Sequence, residues 1–171
     1  GAHLEKGAFT RVRFEGVRFS GASLARSFFT DVSFLRCDLS NADLHGCSMT
    51  RALFEDCRLT GADFGEAALS DALFSGCACG YAQFSRAQIR DTRFERCDCA
   101  GAAFHELRWR ALTFEACSLM AAELFKTPLE GMDLTTCQID GLIVDPPSLR
   151  GAVVTAEQAC GLAKLLGLII R

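Results

Sequence analysis

The sequence predicts an all-β fold in which the chain coils into a four-sided solenoid of about seven to eight coils, closed by a short C-terminal capping helix. Three observations carry this prediction. An apolar residue stands at every fifth position, a second, mostly small residue stands two positions before it, and like residues recur every twenty positions. A chain that turns a corner every five residues and completes a coil every twenty accounts for all three.

The period of five begins at Leu4 and continues to Val154 without a slip. All 31 residues of this series are apolar. Because half of the chain is apolar, chance produces such a series roughly once in a billion trials. A helix repeats every 3.6 residues and a strand every two, so a period of five fits neither and indicates a corner in each pentad.

The second set lies two positions before the first and contains small residues such as Ala42, Cys57 and Ala62. No charged residue occupies either set, and the other three positions of each pentad hold most of the polar residues. Each pentad is therefore expected to send one large and one small side chain inward. The intervening pairs, such as Ser40-Asn41 and Thr60-Gly61, have the composition of tight turns.

The period of twenty shows that four pentads make one coil, so that like residues stack along the axis. Two of the repeating series are Cys37, Cys57, Cys77, Cys97, Cys117 and Cys137, and Phe14, Phe34, Phe54, Phe74, Phe94 and Phe114. The spacings Cys77-Ala78-Cys79 and Cys97-Asp98-Cys99 place both thiols of each pair inward. We interpret these cysteines as reduced, packed thiols rather than disulfides or zinc ligands.

The domain organisation follows from the end of the repeats: residues 1–154 form the solenoid and residues 155–171 a C-terminal helix and tail. Thr155-Ala156-Glu157-Gln158 is a capping-box pattern that starts a helix, and Gly167 stands where the helix should stop. The inward face of that helix is expected to be Ala159, Leu162, Ala163 and Leu166. Such a helix covers the open edge of the last coil.

The phrases Leu39-Ser40-Asn41-Ala42-Asp43-Leu44 and Leu59-Thr60-Gly61-Ala62-Asp63-Phe64 resemble the A(D/N)LxX signature of pentapeptide-repeat proteins. The resemblance covers residues 4–154 and implies a right-handed quadrilateral β-helix. The ending at residues 131–171 is similar to that of Qnr-type proteins, through Leu149-Arg150-Gly151 and the stretch Leu166–Ile170. Those bacterial proteins bind DNA gyrase and topoisomerase IV and protect them from quinolones.

In Qnr-type proteins the C-terminal module joins two subunits, and the negative surface of the dimer is proposed to imitate duplex DNA. The resemblance therefore implies a homodimer here, with an interface formed by Leu162, Leu165, Leu166, Leu168, Ile169 and Ile170. It also implies a partner-binding acidic surface formed by Glu123, Glu130, Asp133, Asp140 and Asp145. Many Qnr-type proteins carry loops that interrupt the repeats, whereas the unbroken register here is similar to that of the loop-free members.

Several function classes lack a sequence signal. The chain has only His3, His45 and His105, and no Ser-His-Asp or Cys-His arrangement, Gly-rich phosphate loop or zinc-ligand spacing. We therefore expect no catalysis, no cofactor and no metal. A net charge of −3 argues against a general phosphate-binding patch, and no apolar run reaches the length of a membrane span. The expected partner is a protein in the cytoplasm, rather than nucleic acid, a membrane or a small-molecule substrate.

A second interpretation stays open: a scaffold or interaction protein for another cytoplasmic partner. The residues at the outward positions are compatible with both a DNA mimic and a scaffold. Phe28, Leu53, Leu73, Met120 and Phe125 add apolar groups, Glu15, Glu55, Glu95 and Glu115 share one outward column, and Arg11, Asp31, Arg51 and Asp71 alternate in sign along another. A DNA mimic competes with DNA for its partner, and a scaffold does not.

Overall fold

The computed structural model describes residues 5–169, with the backbone alone at residue 166, and shows a β-helix of parallel strands followed by a short helix. The described strands form one parallel sheet. Their bounds are β1 Ala8–Thr10, β2 Arg13–Glu15, β3 Phe28–Leu35, β4 Ser48–Glu55, β5 Ala68–Ser70, β6 Leu73–Ser75, β7 Gln88–Glu95 and β8 Arg108–Glu115.

Each residue pairs with the residue twenty positions later, as in Phe29 with Met49 and Phe34 with Phe54. Isolated bridges such as Asp38 with Arg58 and Asp43 with Asp63 continue this register on the sides without strands. The coil therefore has four faces, which we name by their inward residues. Face A carries Phe29, Met49, Leu69, Ile89 and Trp109; face B carries Phe34, Phe54, Phe74, Phe94 and Phe114; face C carries Leu39, Leu59, Cys79, Cys99 and Leu119; face D carries Leu44, Phe64, Phe84, Phe104 and Leu124.

The corners are made by residues in the left-handed region, which recur every fifth position. Asn41 has φ 53° and Asp31 has φ 55°, so most corners adopt this conformation without glycine. A side chain there costs about 1 kcal/mol or more relative to glycine. The ladder between coils offsets that cost, because each corner amide bonds to the next coil, as Asn41 N does to Thr60 O at 2.9 Å.

The core is a column of stacked phenylalanine rings. On face B the rings of Phe54, Phe74 and Phe94 lie parallel, with centroids 4.7 and 4.5 Å apart. Rings on face D meet them edge-on, as Phe64 meets Phe74 at 5.9 Å and 84°. Offset stacks and T-shaped pairs are both favourable arrangements, so the two columns of rings stabilise each other along the interior.

The cysteines of the repeat are packed inside the coil, as their spacing predicted. All ten are free, nine are buried, and Cys160 on the C-terminal helix is exposed. In the main column each thiol donates to carbonyls, as Cys97 Sγ does to Phe74 O and Glu95 O at 3.4 Å. Burial raises the pKa of the Cys47 thiol to about 12. The Cys47 thiol therefore stays protonated, and the buried cysteines act as small packing groups.

The ladder of strands ends after β8 on faces A and B. No bridge joins residues 108–115 to residues 128–135 anywhere in the described chain, and we call this gap the seam. Pro128 has no N–H to donate to Leu107 O, although the equivalent Arg108 N donates to Ala87 O at 3.1 Å. The indole of Trp109 takes up Pro128 O instead, at 2.8 Å.

The regular ladder therefore makes about five turns, fewer than the predicted seven to eight coils. The remaining coils are held by single bridges, of which Glu123 with Ile143 and Asp133 with Val153 are the last on their faces. The predicted β-helix with a C-terminal helix is confirmed. The two counts differ because the pattern of inward-facing residues continues beyond β8, where the backbone hydrogen bonds between strands end.

The C-terminal part contains a 3₁₀ turn at Pro146–Leu149, helix α1 at Ala156–Ala163 and a 3₁₀ turn at Lys164–Leu166. The predicted capping box is present: Thr155 Oγ1 accepts from Gln158 N at 3.1 Å, and Gln158 Oε1 accepts from Thr155 N at 2.8 Å. Gly167 ends the helical segment with φ 74°.

The predicted inward face of α1 is partly wrong. Ala159 is exposed, whereas Gln158, Leu162 and Ala163 are half-buried. The reason is polar: the Gln158 amide donates to two carbonyls of the last coil, Leu134 O at 2.8 Å and Cys137 O at 2.9 Å. The helix therefore docks through hydrogen bonds to backbone carbonyls of the last coil, and not only through an apolar stripe.

Candidate functional site

The five predicted acidic residues lie in the last two coils but not on one face. Glu123 projects from face D, and Asp145 and Asp140 stand at the two corners that border face D. Glu130 and Asp133 flank the opposite corner at Gly131, between faces A and B. The sequence grouped them by proximity along the chain, but a coil of twenty residues distributes them around the axis.

Two of the carboxylates hold turns together. Asp145 Oδ1 accepts from Lys126 N at 2.6 Å, and the Ser148 hydroxyl donates to both Asp145 oxygens at 2.9 Å. The bond from the Lys126 backbone is the main reason that the pKa of Asp145 lies below its usual value. Asp133 accepts from the Thr135 hydroxyl and backbone, and these bonds lower the Asp133 pKa. Asp133 and Asp145 therefore stabilise local turns, whether or not they also contact a partner.

Glu123 is paired with a histidine of the preceding coil. Its carboxylate lies 2.6 Å from His105 Nε2, and both side chains are about a third exposed or slightly more. His45, three coils before His105 in the same column, lies 3.8 Å from Asp63 and 3.7 Å from Glu66. His45 and His105, which carried no function in the sequence, thus occupy carboxylates on this side of the coil.

Asp140 and Glu130 carry the carboxylates that stay available. Within the described residues neither side chain makes a hydrogen bond or an ion pair. Asp140 stands at the corner between faces C and D, on the same side of the coil as Glu123. Of the five predicted residues, Asp140 is therefore the acidic group best placed to meet a partner from the face D side.

Exposed apolar side chains surround these acids. Met120, Phe125 and Ile143 are 43%, 44% and 50% exposed, and Ile143 pairs directly with Glu123 across the coils. We name Met120, Glu123, Phe125, Asp140 and Ile143 the C-terminal patch. The sequence indicated Met120 and Phe125 but missed Ile143, although its outward position in the pentad was a sufficient signal. An apolar centre with acidic groups around it is typical of protein interfaces.

The predicted dimer residues divide into three groups. Leu162 packs against the core of its own chain, so the solenoid already occupies part of its surface. Leu165, Leu168 and Ile169 are 44%, 55% and 88% exposed. The Leu166 side chain and Ile170 lie outside the described residues. The exposed apolar side chains of the tail are thus available for contact, whereas Leu162 mainly packs within its own chain.

The other outward predictions have mixed outcomes. Arg51 and Asp31 form the expected ion pair, with Arg51 Nη2 2.9 Å from Asp31, and that contact lowers the pKa of Asp31. Phe28 is 59% exposed, whereas Leu53 and Leu73 are half-buried. The predicted glutamate column exists, and it ends with Glu95 beside Glu115 on adjacent strands.

The described residues contain no group of three or more His, Cys, Asp or Glu that could hold a metal ion. None of the helices in this range is long and apolar enough to cross a membrane. The outer surface carries carboxylates, guanidinium groups and exposed apolar side chains. These are the groups that form contacts between macromolecules.

Comparison with known proteins gives consistent results. A structure of a trypsin-treated variant of QnrB1, a plasmid-mediated fluoroquinolone resistance protein, is 25% identical, with 99% of this chain and 89% of that chain covered and a TM-score of 0.60. HetL, a pentapeptide repeat protein involved in heterocyst differentiation regulation in the cyanobacterium Nostoc, is 17% identical over 89% of this chain and 86% of that one, with a TM-score of 0.23.

A pentapeptide repeat protein from the thylakoid lumen of Arabidopsis thaliana is 23% identical over 63% of this chain and 66% of that one, with a TM-score of 0.28. No curated protein sequence matches the chain significantly. The family model described as Pentapeptide repeat region matches residues 2–84, 27–104 and 47–124. These overlapping matches cover most of the coils described above, and the chain therefore belongs to the pentapeptide repeat family.

Proposed function

We propose that this chain is a non-catalytic binding protein for DNA gyrase or topoisomerase IV, which it occupies as a DNA mimic and protects from quinolones. The observation that carries the proposal is the similarity to QnrB1 over almost the whole chain. The similar C-terminal ending, Leu149-Arg150-Gly151 followed by a helix and an apolar tail, supports it. The belt of carboxylates in the last coils supplies the charge that such mimicry requires.

The proposed contact surface is the C-terminal patch. Adjacent coils lie about 4.8 Å apart, and Glu123, Asp140 and Asp145 lie in two adjacent coils, so they gather negative charge on face D and the corners that border it. A positively charged groove that normally holds DNA attracts such a concentration of negative charge. The apolar groups Met120, Phe125 and Ile143 add the desolvated contact area that makes a protein complex persist.

The proposed assembly is a homodimer through residues 155–171. The exposed Leu168 and Ile169 are the groups expected to leave water when two copies meet. A two-fold contact between C-termini places two C-terminal patches on either side of the junction and doubles the length of the acidic surface. We therefore expect Ile169→Asp to give a monomer in sedimentation velocity, with Phe28→Asp as a control that leaves the dimer intact.

The first experiment is a gyrase supercoiling assay in the presence of ciprofloxacin, with this protein titrated in. Restored supercoiling at micromolar protein or below supports the proposal. Competition with a linear DNA fragment for gyrase then separates mimicry from other binding, because a mimic and DNA exclude each other. The absence of both protection and inhibition at high concentration contradicts the proposal.

Charge reversal locates the contact surface. Asp140→Lys is expected to weaken gyrase binding about tenfold, since it replaces an available carboxylate by a cation. Asp133→Lys tests the opposite corner, although it also removes the bonds to Thr135. Glu55→Lys, on face B far from the last coils, is the matched control. Equal affinity of the Asp140 and Glu55 variants excludes the C-terminal patch as the contact.

The second candidate is a scaffold for another cytoplasmic partner. The specific observation in its favour is that Glu123 lies 2.6 Å from His105 Nε2, so this carboxylate of face D already has a partner within the chain. A scaffold binds its partner whether or not DNA is present. Affinity capture with the wild-type protein and with Asp140→Lys, followed by addition of DNA, distinguishes the two candidates.

A further inference from the structure

Face A carries a groove of about 900 Å³ that no part of the proposed function uses. It faces away from the corner of faces C and D, which bears Asp140, and it extends from the coil of β4 past the coil of β8. Its lining includes Ser48, Ala68 and Ser70 at one end and Arg90, Arg108 and Arg110 toward the other.

The groove exists because side-chain size changes along two outward columns of face A. Ser48 and Ala68 are small and are followed in their column by Gln88 and Arg108. Thr50 and Ser70 are followed in the neighbouring column by Arg90 and Arg110. The small residues leave a recess over two coils, and the guanidinium groups rise beside it. Because like positions stack in columns, a change from small to large residues along the sequence produces a recess in the surface.

The seam deepens this recess and makes part of it aromatic. Trp109 occupies an inward position of the pentad, yet it is only partly buried and lines the groove together with Pro128. Its Nε1 donates to Pro128 O, which holds the ring at the gap in the ladder. A fixed, partly exposed indole offers a flat apolar surface in the floor of a polar groove.

The charge of the groove is positive and incompletely paired. Arg110 is bonded to Asp91 at 3.0 Å, and Arg90 Nε donates to the Ser70 hydroxyl at 3.4 Å. The Arg108 guanidinium bonds to no group in the described part of the chain. Glu130 borders the far end and is the only carboxylate of the lining. An exposed guanidinium with free donors beside a hydroxyl-lined recess favours a carboxylate-bearing occupant.

We infer that this groove binds a short acidic protein segment in an extended conformation. The coils of β4, β5, β7 and β8 span three coil spacings, about 14 Å. A segment of four to five extended residues covers that distance, since each residue advances about 3.3 Å. Its carboxylates meet Arg90 and Arg108, and one apolar side chain of the segment lies on Trp109. This surface is independent of the topoisomerase proposal, and either one can fail alone.

Nucleic acid is the less suitable occupant. The chain has a net charge of −3, and Glu130 closes one end of the groove. A duplex contacts several phosphates in a row and needs an extended basic face, whereas only Arg90, Arg108 and Arg110 of the lining are basic. A short segment with two or three carboxylates matches this charge.

The test uses Trp109 as the reporter, because it is the only tryptophan in the chain. The probes are a nine-residue peptide with four glutamates around one central leucine, and the same peptide with lysine in place of glutamate. The glutamate peptide is expected to change Trp109 emission saturably and to reduce its quenching by acrylamide. The lysine peptide is expected to do neither, and added salt is expected to weaken the binding of the glutamate peptide.

Variants decide whether the groove is the site. Arg108→Glu is expected to weaken binding of the glutamate peptide about tenfold or more, and Arg18→Glu on face C is the matched control with the same change of net charge. Peptide anisotropy provides a readout that does not depend on Trp109. The inference is overturned if neither peptide changes the emission, if both arginine variants lose affinity equally, or if a single-stranded oligonucleotide binds more tightly than the peptide in an Arg108-dependent way.

Discussion

The strand-laddered body and the last two coils follow the same inward pattern, yet they are held together differently. In the body, from β1 to β8, the phenylalanine rings of face B stack in an unbroken column, and every coil is bonded to the next on faces A and B. After the seam the inward residues are aliphatic, such as Leu129 and Leu134, and single bridges hold the coils. The aromatic column on face B and the ladder both end at the coil of Phe114.

The comparison teaches that the inward residues fix the coil but not the strength of its backbone ladder. Leu129 and Leu134 are as deeply buried as the rings of the body. What changes is local: Pro128 cannot donate, the Trp109 indole occupies a carbonyl, and Thr136 Oγ1 accepts from Ala116 N at 3.1 Å. The part of the chain with the weaker ladder carries the C-terminal patch and, at Pro128 and Glu130, one end of the groove on face A.

The largest expected effect comes from cutting the aromatic column inside the body. Phe74 is fully buried between Phe54 and Phe94, so Phe74→Ala is expected to lower the free energy of unfolding by about 3–5 kcal/mol. Phe114 stacks on Phe94 alone, and its truncation is expected to be milder by about 1 kcal/mol. Urea denaturation followed by circular dichroism measures both.

The exposed Phe28 is the control for these two variants. Because 59% of its surface is in water, Phe28→Ala is expected to change stability by no more than about 0.5 kcal/mol. A loss at Phe114 equal to that at Phe74 contradicts the idea that the column weakens at the seam.

The next effect is at the end of the solenoid. Gln158→Ala removes the donors to Leu134 O and Cys137 O and one half of the capping box, which together are worth about 1–3 kcal/mol. The loss is expected to be local, so hydrogen exchange should accelerate about tenfold in Ala156–Ala163 and remain unchanged in β4. Glu157→Ala is the control, because Glu157 is exposed and makes no bond to the last coil. Equal acceleration in both variants excludes Gln158 as the anchor.

The sequence predicted the coil well because its period is a direct record of the inward positions. Phe34, Cys57 and Ala62 are buried as their place in the pentad requires. The surface could be predicted only in part. Asp133 and Asp140 are seven residues apart in the chain, yet they stand on different sides of the coil, and Gln158 is polar and so escaped a search for an apolar helix face. Bonds such as Trp109 Nε1 to Pro128 O depend on side-chain direction, which no periodicity encodes.

A smaller effect is expected from closing the seam. In the double variant Trp109→Leu with Pro128→Ala, the backbone N–H of residue 109 can reach the carbonyl of residue 128, as Leu39 N reaches Arg58 O at 2.7 Å. Residue 128 also gains a donor for Leu107 O. One or two new bonds should stabilise the chain by about 1 kcal/mol and slow amide exchange at residues 128–130. Pro147→Ala is the control, and unchanged exchange in the double variant means that the indole does not hold the seam open.

The smallest expected effect is a response to acid at the corner of Asp145. The folded-state pKa of this carboxyl lies below its ordinary value of 3.8, chiefly because Lys126 N bonds to it. Its contribution to stability is therefore complete above about pH 4 and is lost as the pH falls through the lower, folded-state pKa. Amide exchange of Lys126 and Ser148 should rise over that interval before the body unfolds.

The Asp145→Asn variant distinguishes the titration of Asp145 from a general destabilisation of the chain by acid. Its carbonyl oxygen can still accept from Lys126 N, but it does not titrate, so the local acid response should disappear while the turn at Pro146–Leu149 persists. Amide shifts of Lys126 recorded from pH 5 to pH 3 in both proteins measure the difference. Identical titration curves mean that the corner responds to the charge of the whole acidic belt and not to Asp145 alone. In that case the last coils behave as one electrostatic unit, in contrast with the body, where local bonds dominate.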